Sequence, residues 1–289
     1  MCIRDSRYIC VQNRSMYTEY QPSHLLVPYI DSYWEFKGNP DYGMRIHILP
    51  DGCTDFIFTL GEVANAVEEG SLIMQPYRSY FVGPMTKYSE LVTYTESIHM
   101  FGVRFLPCGL SCFTNLPLHE FVNSRVSTNE MKAVFDDTFI EKLGEQKHVT
   151  DRIRVVEEYL LAYLARHYQP ADSHVAMAVN MINHSKGKRS VRSLMDDVCL
   201  CQRHFERKFK HYTGFTPKEY SRIVKFKNAV ELLRTTTSAN LLTTAVDAGY
   251  YDLAHFSKEI KSMSGNTPAS FLSLTVPEET TLTYIEPQR

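Results

Sequence analysis

The segment RHFERKFKHYTGFTPKEY at residues 203–220 decides the fold, because a second version of it, AHFSKEIKSMSGNTPASF, follows at residues 254–271. With an offset of 51 residues the two versions align without a gap and correspond at nine positions. Such agreement indicates a duplicated structural unit. The corresponding pairs are His204 with His255, Phe205 with Phe256, Arg207 with Lys258, Phe209 with Ile260, Lys210 with Lys261, Gly214 with Gly265, Thr216 with Thr267, Pro217 with Pro268 and Tyr220 with Phe271.

Each unit is predicted to contain two short helices joined by a tight turn. In the first unit Ser190 can cap a helix that runs to Val198, and a turn at Cys199 leads into a second helix. In that second helix Phe205 and Phe209 are spaced to face inward. Two short helices joined by so brief a turn indicate a helix-turn-helix, whose second helix enters the major groove of DNA.

A long helix is predicted to connect the two units. Thr216, Pro217 and Glu219 provide an N-cap, a first helical position and a capping-box partner, which together start a helix through Leu233. The second unit then repeats the scheme from Leu241 onward. The sequence therefore predicts two helix-turn-helix units tied together by one central helix.

Charge is segregated along the chain, although its net charge is only −2. Residues 174–275 hold 15 Lys+Arg and 8 Asp+Glu, a balance of +7, which leaves −9 for the rest. This asymmetry favours two domains, of which the basic one is suited to a polyanionic partner. A solvated surface of the same charge is the alternative.

The first turns of the second helix of each unit carry the side chains expected to meet base edges. Arg can bond bidentately to guanine, Gln to adenine, and Glu can accept from the cytosine amino group. The second unit is less polar here, which favours thymine-methyl contacts or backbone anchoring. The predicted DNA-binding residues are Gln202, Arg203, Glu206, Arg207, Lys208, Leu253, Ala254, His255 and Lys258.

Residues 191–220 and 241–271 closely resemble the DNA-binding domain of AraC/XylS-type bacterial transcription regulators. RHFERKFK with TGFTPKEY matches the first half of that domain, and GYYDLAHFSKEIK with SGNTP matches the second. The resemblance implies seven helices, two motifs that read adjacent major grooves on one face of DNA, and transcriptional control. It also implies that the base-facing residues are Arg203, Glu206, Arg207, Ala254, His255 and Lys258.

The chain departs from the family pattern at four positions. Cys201 stands where a capping Ser is usual, and Met195 stands where a small Ala is usual. Thr244 replaces an aliphatic residue, and Lys258 replaces the common Arg, which weakens any bidentate contact. These departures bear on sequence preference and local stability rather than on the fold.

From Leu25 to about Phe113 the sequence is typical of short strands, which suggest a small antiparallel barrel or sandwich. Four motifs resemble an N-terminal domain attached to such regulators, namely YW at 33–34, LPDGCTDFIF at 49–58, FVGP at 81–84 and GVRFLP at 102–107. That resemblance implies a cupin-like β-barrel that acts as a sensor or dimerisation module. The predicted strand runs are Tyr33–Phe36, Arg45–Leu49, Asp55–Leu60, Ser79–Val82 and Met100–Phe105.

A barrel mouth is a good site for a small-molecule effector of unknown identity. The alternative for each candidate residue is a structural role in the core of a strand or in a turn. The Asp51-Gly52 pair in particular is typical of a turn. His47 lacks a closely spaced second His, so no metal site is expected. The candidate pocket residues are Trp34, Arg45, His47, Asp51, Arg104 and Phe105.

The predicted fold class is α+β, with an N-terminal antiparallel β-barrel, a helical linker and an all-α double helix-turn-helix domain. The linker contains an amphipathic helix between Ile153 and Leu164, which can pack on its own domain or on a second copy of the chain. The predicted divisions are a non-native or disordered extension at 1–15, a sensor or dimerisation domain at 16–130, the linker at 131–170, the DNA-binding domain at 171–275 and a tail at 276–289.

These features predict a cytoplasmic regulator rather than an enzyme, with no cofactor. The expected partners are double-stranded promoter DNA, RNA polymerase, a small-molecule effector and a second copy of the chain. No apolar run is long enough for a membrane helix. The seven Cys are odd in number and lack disulfide spacing. A thiol-responsive regulator and a DNA-repair-type protein with a reactive Cys are the alternatives, although no Pro-Cys-His motif supports the latter.

Overall fold

The computed structural model describes residues 16–61, 65–66, 74–131, 134–135, 137–198, 200–235, 241–272 and 283–286. Strands dominate the N-terminal half and helices the C-terminal half, which confirms the predicted α+β class. The predicted extension at 1–15 lies outside the described residues. The strands are β1 (Tyr17–Tyr20), β2 (Ile30–Gly38), β3 (Met44–Ile48), β4 (Thr54–Thr59), β5 (Asn65–Ala66), β6 (Ser79–Val82), β7 (Ser89–Thr93), β8 (Ile98–Phe105), β9 (Arg125–Ser127) and β10 (Thr283–Glu286).

The described strands form two open antiparallel sheets rather than one closed barrel. The first sheet has the order β1-β2-β8-β4-β6-β9, and the second has the order β10-β3-β7-β5. β10 lies in the predicted tail at 276–289 and pairs with β3, with Tyr284 opposite His47. Part of the tail thus joins the N-terminal sheets, a pairing that no local sequence pattern indicates.

Both faces of the first sheet are buried, because successive side chains of a strand point to opposite faces. On one face Trp34, Ile57 and Met100 pack against Ile46 and Leu91 of the second sheet. On the other face lies a layer of aromatic side chains. Its largest buried members in the strands are Tyr33, Phe56, Phe58, Phe81, Phe101 and Phe105.

Two helices cover the aromatic face, namely α1 (Asp137–Gly144) and α2 (Val149–His167). The rings of Phe58 and Phe139 lie 5.7 Å apart between centroids. Val156 and Leu160 of α2 are fully buried in the same cluster. The apolar face of this amphipathic helix is therefore covered within its own chain.

The C-terminal domain consists of seven helices in the described residues, as the family resemblance implies. Its core is one hydrophobic cluster around α6, which buries Ile223, Phe226 and Val230. α6 is buried on most sides because the other helices surround it. The helices are α3 (Ser173–His184), α4 (Val191–Val198), α5 (Gln202–Thr213), α6 (Pro217–Thr235), α7 (Leu241–Asp247), α8 (Leu253–Ser264) and α9 (Pro268–Leu272).

The repeat extends to the way in which α5 and α8 end. Gly214 and Gly265 follow them with φ of +84° and +75°, in the left-handed conformation that favours glycine at this position. Thr213 Oγ1 donates to a carbonyl four residues earlier at 2.7 Å and accepts an amide two residues later at 3.2 Å. Ser264 Oγ makes the equivalent bonds at 2.7 and 3.1 Å.

The starts of the two helices differ, and this difference supports a prediction. Asp252 Oδ1 accepts from the His255 amide at 2.7 Å, whereas the equivalent Cys201 makes no side-chain cap in α5. Replacing Cys201 with Ser is expected to raise the free energy of unfolding by about 1 kcal/mol, because a hydroxyl can accept an unpaired amide. Asp252→Ala should lower it by a similar amount. Urea unfolding measures both, and an unstabilised Cys201→Ser would contradict the prediction.

The two domains pack directly on each other. Leu49, in the turn after β3, and Cys108, after β8, belong to the hydrophobic cluster of the helical domain. The ring of Tyr220 lies against Gly52, where an added Cβ would stand 2.7 Å from Cε2. Tyr220 Oη also donates to Asn183 Oδ1 at 3.0 Å, so this side chain connects the turn of the β-domain with α3 and α6.

Candidate DNA-binding surface and N-terminal cavity

The surface of α5 is set by the side chains that anchor this helix. Phe205 and Phe209 are fully buried in the domain core. Their spacing leaves Arg203 and Arg207 exposed on the other side of the helix, near its start. Buried aromatic residues thus fix the helix while its guanidinium groups face solvent, as a DNA-reading helix requires.

Hydrogen bonds within α5 order part of this surface. Gln202 Nε2 donates to Glu206 Oε1 at 2.9 Å, and Arg207 Nη2 donates to His204 Nδ1 at 3.2 Å. Lys208 is used differently, because its Nζ donates to Asp172 Oδ2 at the start of α3 at 2.6 Å. That ion pair ties α5 to the domain, so Lys208 has a structural contact besides its predicted DNA contact.

On α8 the four predicted DNA-binding residues are exposed, namely Leu253, Ala254, His255 and Lys258. The ring of His255 packs edge-on against Tyr250 at 5.4 Å between centroids, which orients the imidazole at the helix start. Tyr251, directly before the helix, is 92% exposed and was not among the predicted residues. Asp252 is the N-cap of α8, so the sequence already indicated that Tyr251 lies at the start of this helix.

Two basic residues before α4 make contacts within the domain. Lys188 Nζ donates to the Asp247 carbonyl at the end of α7 at 2.6 Å. Arg189 bonds to Ser193 and forms an ion pair with Asp197. Lys188 therefore joins the first unit to the second, and Arg189 joins the loop to α4. Their positions in the sequence did not indicate these roles.

A small cavity of about 40 Å³ lies between the two sheets. Its walls are apolar, apart from the half-buried carboxylate of Asp55 and the buried guanidinium of Arg104. Trp34 closes one wall, and its indole lies so near Gly102 that an added Cβ there would stand 1.9 Å from the ring. The other wall residues are Tyr17, Phe36, Ile46, Ile48, Ile57, Val82, Met85, Leu91 and Met100.

Arg104 is the centre of an ion cluster beside this cavity. Its Nε lies 3.2 Å from Asp55 Oδ1 and 3.4 Å from Asp51 Oδ2, and its Nη1 lies 3.3 Å from Glu19 Oε1. Trp34 Nε1 donates to Asp55 Oδ1 at 2.7 Å. Burial alone would lower the pKa of Arg104, but the neighbouring carboxylates raise it well above its usual range. The guanidinium therefore stays charged.

The Asp55 carboxyl is expected to make stability depend on pH. Burial raises its pKa to about 6, while the Arg104 guanidinium opposes the shift. The unfolded pKa is about 3.9, so the folded protein binds the proton more tightly, and stability falls as pH rises from about 4 through about 6. Asp55→Asn should remove this dependence. As pH rises over that range, its free energy of unfolding should increase relative to that of the wild type by up to about 3 kcal/mol.

Urea unfolding of both proteins at pH 4 to 7 measures this difference. Asp31→Asn, which changes an exposed carboxylate on β2, is the matched control and should keep a constant difference from the wild type. A pH-independent difference between Asp55→Asn and the wild type would contradict the raised pKa.

Three of the predicted pocket residues come together at the cavity. Trp34 and Arg104 line it, and Asp51 is joined to it through Arg104. Asp55 also lines it and was not predicted as a pocket residue. Its signal was available, since a carboxylate inside an apolar strand run needs a buried partner.

Phe105 and His47, which were also predicted as pocket residues, do not line this cavity. Phe105 follows Arg104 along β8 and so points to the opposite face, where it packs on Phe56 at 5.8 Å. His47 is buried and stacks on Tyr88 at 5.6 Å between ring centroids. The side chain of Arg45 lies outside the described residues.

The described Cys residues behave as small buried hydrophobes, with one exception. Cys53, Cys108 and Cys112 are buried, whereas Cys201 is exposed. Burial raises the pKa of the three buried thiols, which disfavours the thiolate that redox or alkyl-transfer chemistry needs. The described residues also contain no cluster of three or more His, Cys, Asp or Glu suited to a metal. Outside the described residues lie Cys2, Cys10 and Cys199.

Two family models match parts of the chain. A "Helix-turn-helix domain" model matches residues 194–273, and a "Domain of unknown function (DUF6597)" model matches residues 18–127. The first match contains both α5 and α8 with all nine predicted DNA-binding residues. The C-terminal region is an AraC-type helix-turn-helix domain. The chain that carries it is a DNA-binding transcription regulator.

Solved structures show how far the fold likeness extends. ToxT from Vibrio cholerae, at 1.65 Å resolution, is similar with a TM-score of 0.50 and 9% identity, over 84% of this chain and 99% of that chain. A probable AraC family transcriptional regulator from Rhodopseudomonas palustris is 20% identical, over 37% of this chain and 100% of that chain, with a TM-score of 0.33. No curated protein matches. The ToxT likeness extends beyond the AraC-type domain into the β-domain.

No helix in the described part of the chain is long and apolar enough to cross a membrane. The AraC-type domain presents Arg203 and Arg207 at the exposed start of α5, while Lys188 and Lys208 bond to neighbouring helices. This division separates contacts available to DNA from contacts that maintain the fold.

Proposed function

We propose that this regulator binds specific double-stranded promoter DNA through α5 and α8 and thereby alters the recruitment of RNA polymerase. One observation carries the proposal. Both units of the repeat bury a Phe, at 205 and 256, and expose polar or basic residues in the same first turns. Two such helices on one central helix are suited to two neighbouring major-groove sites.

The side chains suggest different roles for the two helices. Arg203 and Arg207 are suited to guanine, and Glu206 can accept from cytosine. On α8, Ala254 is suited to a thymine methyl group. Lys258 supplies a point charge and lacks the paired donors with which Arg bonds a base bidentately. We therefore propose that α5 reads most of the sequence and that α8 chiefly anchors the complex.

Selection of genomic DNA fragments by the purified protein tests this function. The wild type is expected to enrich a motif with two recognition blocks about one helical turn apart. Arg203→Ala/Lys258→Ala should lose that motif. The matched control is Lys210→Ala/Lys261→Ala, which removes two exposed charges from later turns of the same helices. The control should bind more weakly but keep the motif, and salt-sensitive binding without any motif in the wild type would overturn the proposal.

We also propose that the cavity between the sheets binds a small effector. A volume of about 40 Å³ is far below the roughly 300 Å³ of a typical ligand site, so binding requires the sheets to move apart. The ion cluster sets one Arg against three carboxylates, so its charge is negative when all are ionised. The cavity therefore favours an apolar molecule with a cationic or hydrogen-bond-donating head over a carboxylate.

Octylamine and octanoate form a matched pair of probes for this idea, since they share an apolar chain and differ in the charge of the head. Octylamine is expected to raise the melting temperature of the protein, and octanoate is not. Asp55→Asn removes one negative charge from the ion cluster, so octylamine should raise the melting temperature of this variant less than that of the wild type. Equal responses to both probes, or none, would contradict the proposed effector chemistry.

The sequence also predicts the location of the protein and its pairing with a second copy. We propose that the regulator acts in the cytoplasm and that two copies associate on DNA. The apolar face of α2 is covered by its own domain, so that surface is not the one we assign to pairing. Light scattering of the protein with and without the selected DNA measures the number of copies.

A further inference from the structure

Residues 84–88, here called the bridging segment, contact the C-terminal ends of both α5 and α8. The segment connects β6 of the first sheet with β7 of the second. Pro84 lies against Gly214, where an added Cβ would stand 2.4 Å from Pro84 Cγ. Tyr88 lies against Gly265, where an added Cβ would stand 2.8 Å from Tyr88 Cζ. The two glycines are equivalent positions of the repeat, so one segment meets both units at the same structural point.

The bridging segment is held firmly by the β-domain. The Thr86 amide donates to Asn123 Oδ1 at 2.8 Å, and the Asn123 amide donates to the Pro84 carbonyl at 2.8 Å. The ring of Tyr88 stacks on His47 with an interplanar angle of 10°. The positions of Pro84 and Tyr88 are therefore set from the β-domain rather than from the helices they contact.

The same segment also reaches the cavity. Met85 lies between Pro84 and Tyr88 in the chain, is buried, and forms part of the cavity wall. Movement of the sheets that enlarged the cavity would therefore act on the residues that contact α5 and α8. A packed segment transmits such a shift because protein interiors are close-packed.

We propose that Pro84 and Tyr88 are positioning residues for DNA recognition, which fix α5 and α8 relative to each other. This inference rests on the proposed DNA-binding function. Bases are met by the first turns of each helix, so contacts at the C-terminal glycines leave the DNA-facing ends free. α6 joins the two units within the domain, and the bridging segment joins them a second time from the β-domain.

The spacing between the two recognition blocks in DNA provides the readout. One inserted base pair moves the second block by about 3.4 Å and rotates it by about 34°. A protein with rigidly placed helices discriminates strongly against that duplex, and one with looser helices discriminates less. Loss of global stability alone would not change the ratio of the two affinities measured on folded protein.

Tyr88→Ala is expected to reduce the ratio of affinities for the selected duplex and the inserted duplex by about 2- to 30-fold. Affinity for a duplex with only the first block should stay within about twofold of the wild type. Tyr94→Ala is the matched control, because Tyr94 is exposed just beyond β7 and its ring contacts Tyr42 at 5.2 Å. That control should keep the wild-type ratio.

Tyr88→Leu, which retains apolar bulk, replaces Tyr88→Ala if the latter does not fold. An unchanged ratio in a folded Tyr88 variant would overturn the positioning role while leaving DNA recognition intact. A wild type that selects no two-block motif would instead overturn the proposed function, and the positioning role with it. The two failures are therefore distinguishable from the wild-type measurement.

Discussion

Replacing Arg104 with Leu is expected to lower the free energy of unfolding by about 3–5 kcal/mol. The Arg104 side chain is only 6% exposed and stands within 3.4 Å of the carboxylates of Asp51 and Asp55. Leu fills only part of that space with apolar atoms, and it leaves those largely buried carboxylates without their cation. Breaking such a cluster costs far more than the pairing itself contributes, because the remaining charges stay out of water.

Urea unfolding followed by fluorescence measures this effect conveniently. Trp34 is the one tryptophan of the sequence and donates directly to Asp55, so its emission reports on the cluster. Arg154→Leu is the matched control, since Arg154 is 66% exposed on α2 and pairs with Asp151 at 2.7 Å. Exposed pairs contribute about 0–1 kcal/mol, so this control should be nearly neutral.

A double variant sharpens the test. Arg104→Leu/Asp55→Asn removes one of the orphaned carboxylates and should recover part of the lost stability. Equal losses in Arg104→Leu and Arg154→Leu would contradict the idea that buried charge dominates this site. Failure of Asp55→Asn to recover any stability would place the loss in packing rather than in electrostatics.

Arg203→Ala is expected to weaken binding to the preferred DNA by about 1–3 kcal/mol, or about 5- to 150-fold. The guanidinium at the exposed start of α5 can form two hydrogen bonds with guanine, and Ala forms none. The loss should be confined to one position of the site. There the variant should bind all four base pairs with similar affinity, which binding measurements on singly substituted duplexes would reveal.

Lys210→Ala provides the contrast for Arg203→Ala. Lys210 is exposed on a later turn of α5, where a phosphate contact is the expected role. Its loss should weaken binding about equally on all sequences and reduce the salt slope by about one. If Arg203→Ala behaved in the same way, its role as a base reader would be wrong.

The duplicated helical units could be predicted because their signals are local. Phe205 and Phe209 lie one helical turn apart, and Thr216 with Glu219 forms the predicted capping box, with bonds of 2.7 and 3.1 Å. Helix periodicity and caps involve residues within about four positions of each other, so the chain order already contains them. The five predicted strand runs are confirmed for the same reason, since β propensity and turns are local as well.

The cavity residues could be predicted only in part. Trp34 and Arg104 were found, but strand alternation placed Phe105 on the opposite face and His47 against Tyr88. Which face of a strand looks toward a cavity depends on what packs on each side. That choice is made by the second sheet and by α2, which lie elsewhere in the chain.

The repeat, the helix boundaries and the exposed residues of α5 and α8 thus follow from the order of the amino acids alone. Tertiary structure decided which carboxylates surround Arg104, that β10 pairs with β3, and that the bridging segment contacts both Gly214 and Gly265. These contacts join residues that are tens to hundreds of positions apart in the chain, so no local sequence pattern predicts them. They form because burying both faces of the first sheet brings separate parts of the chain together, and packing then selects their neighbours.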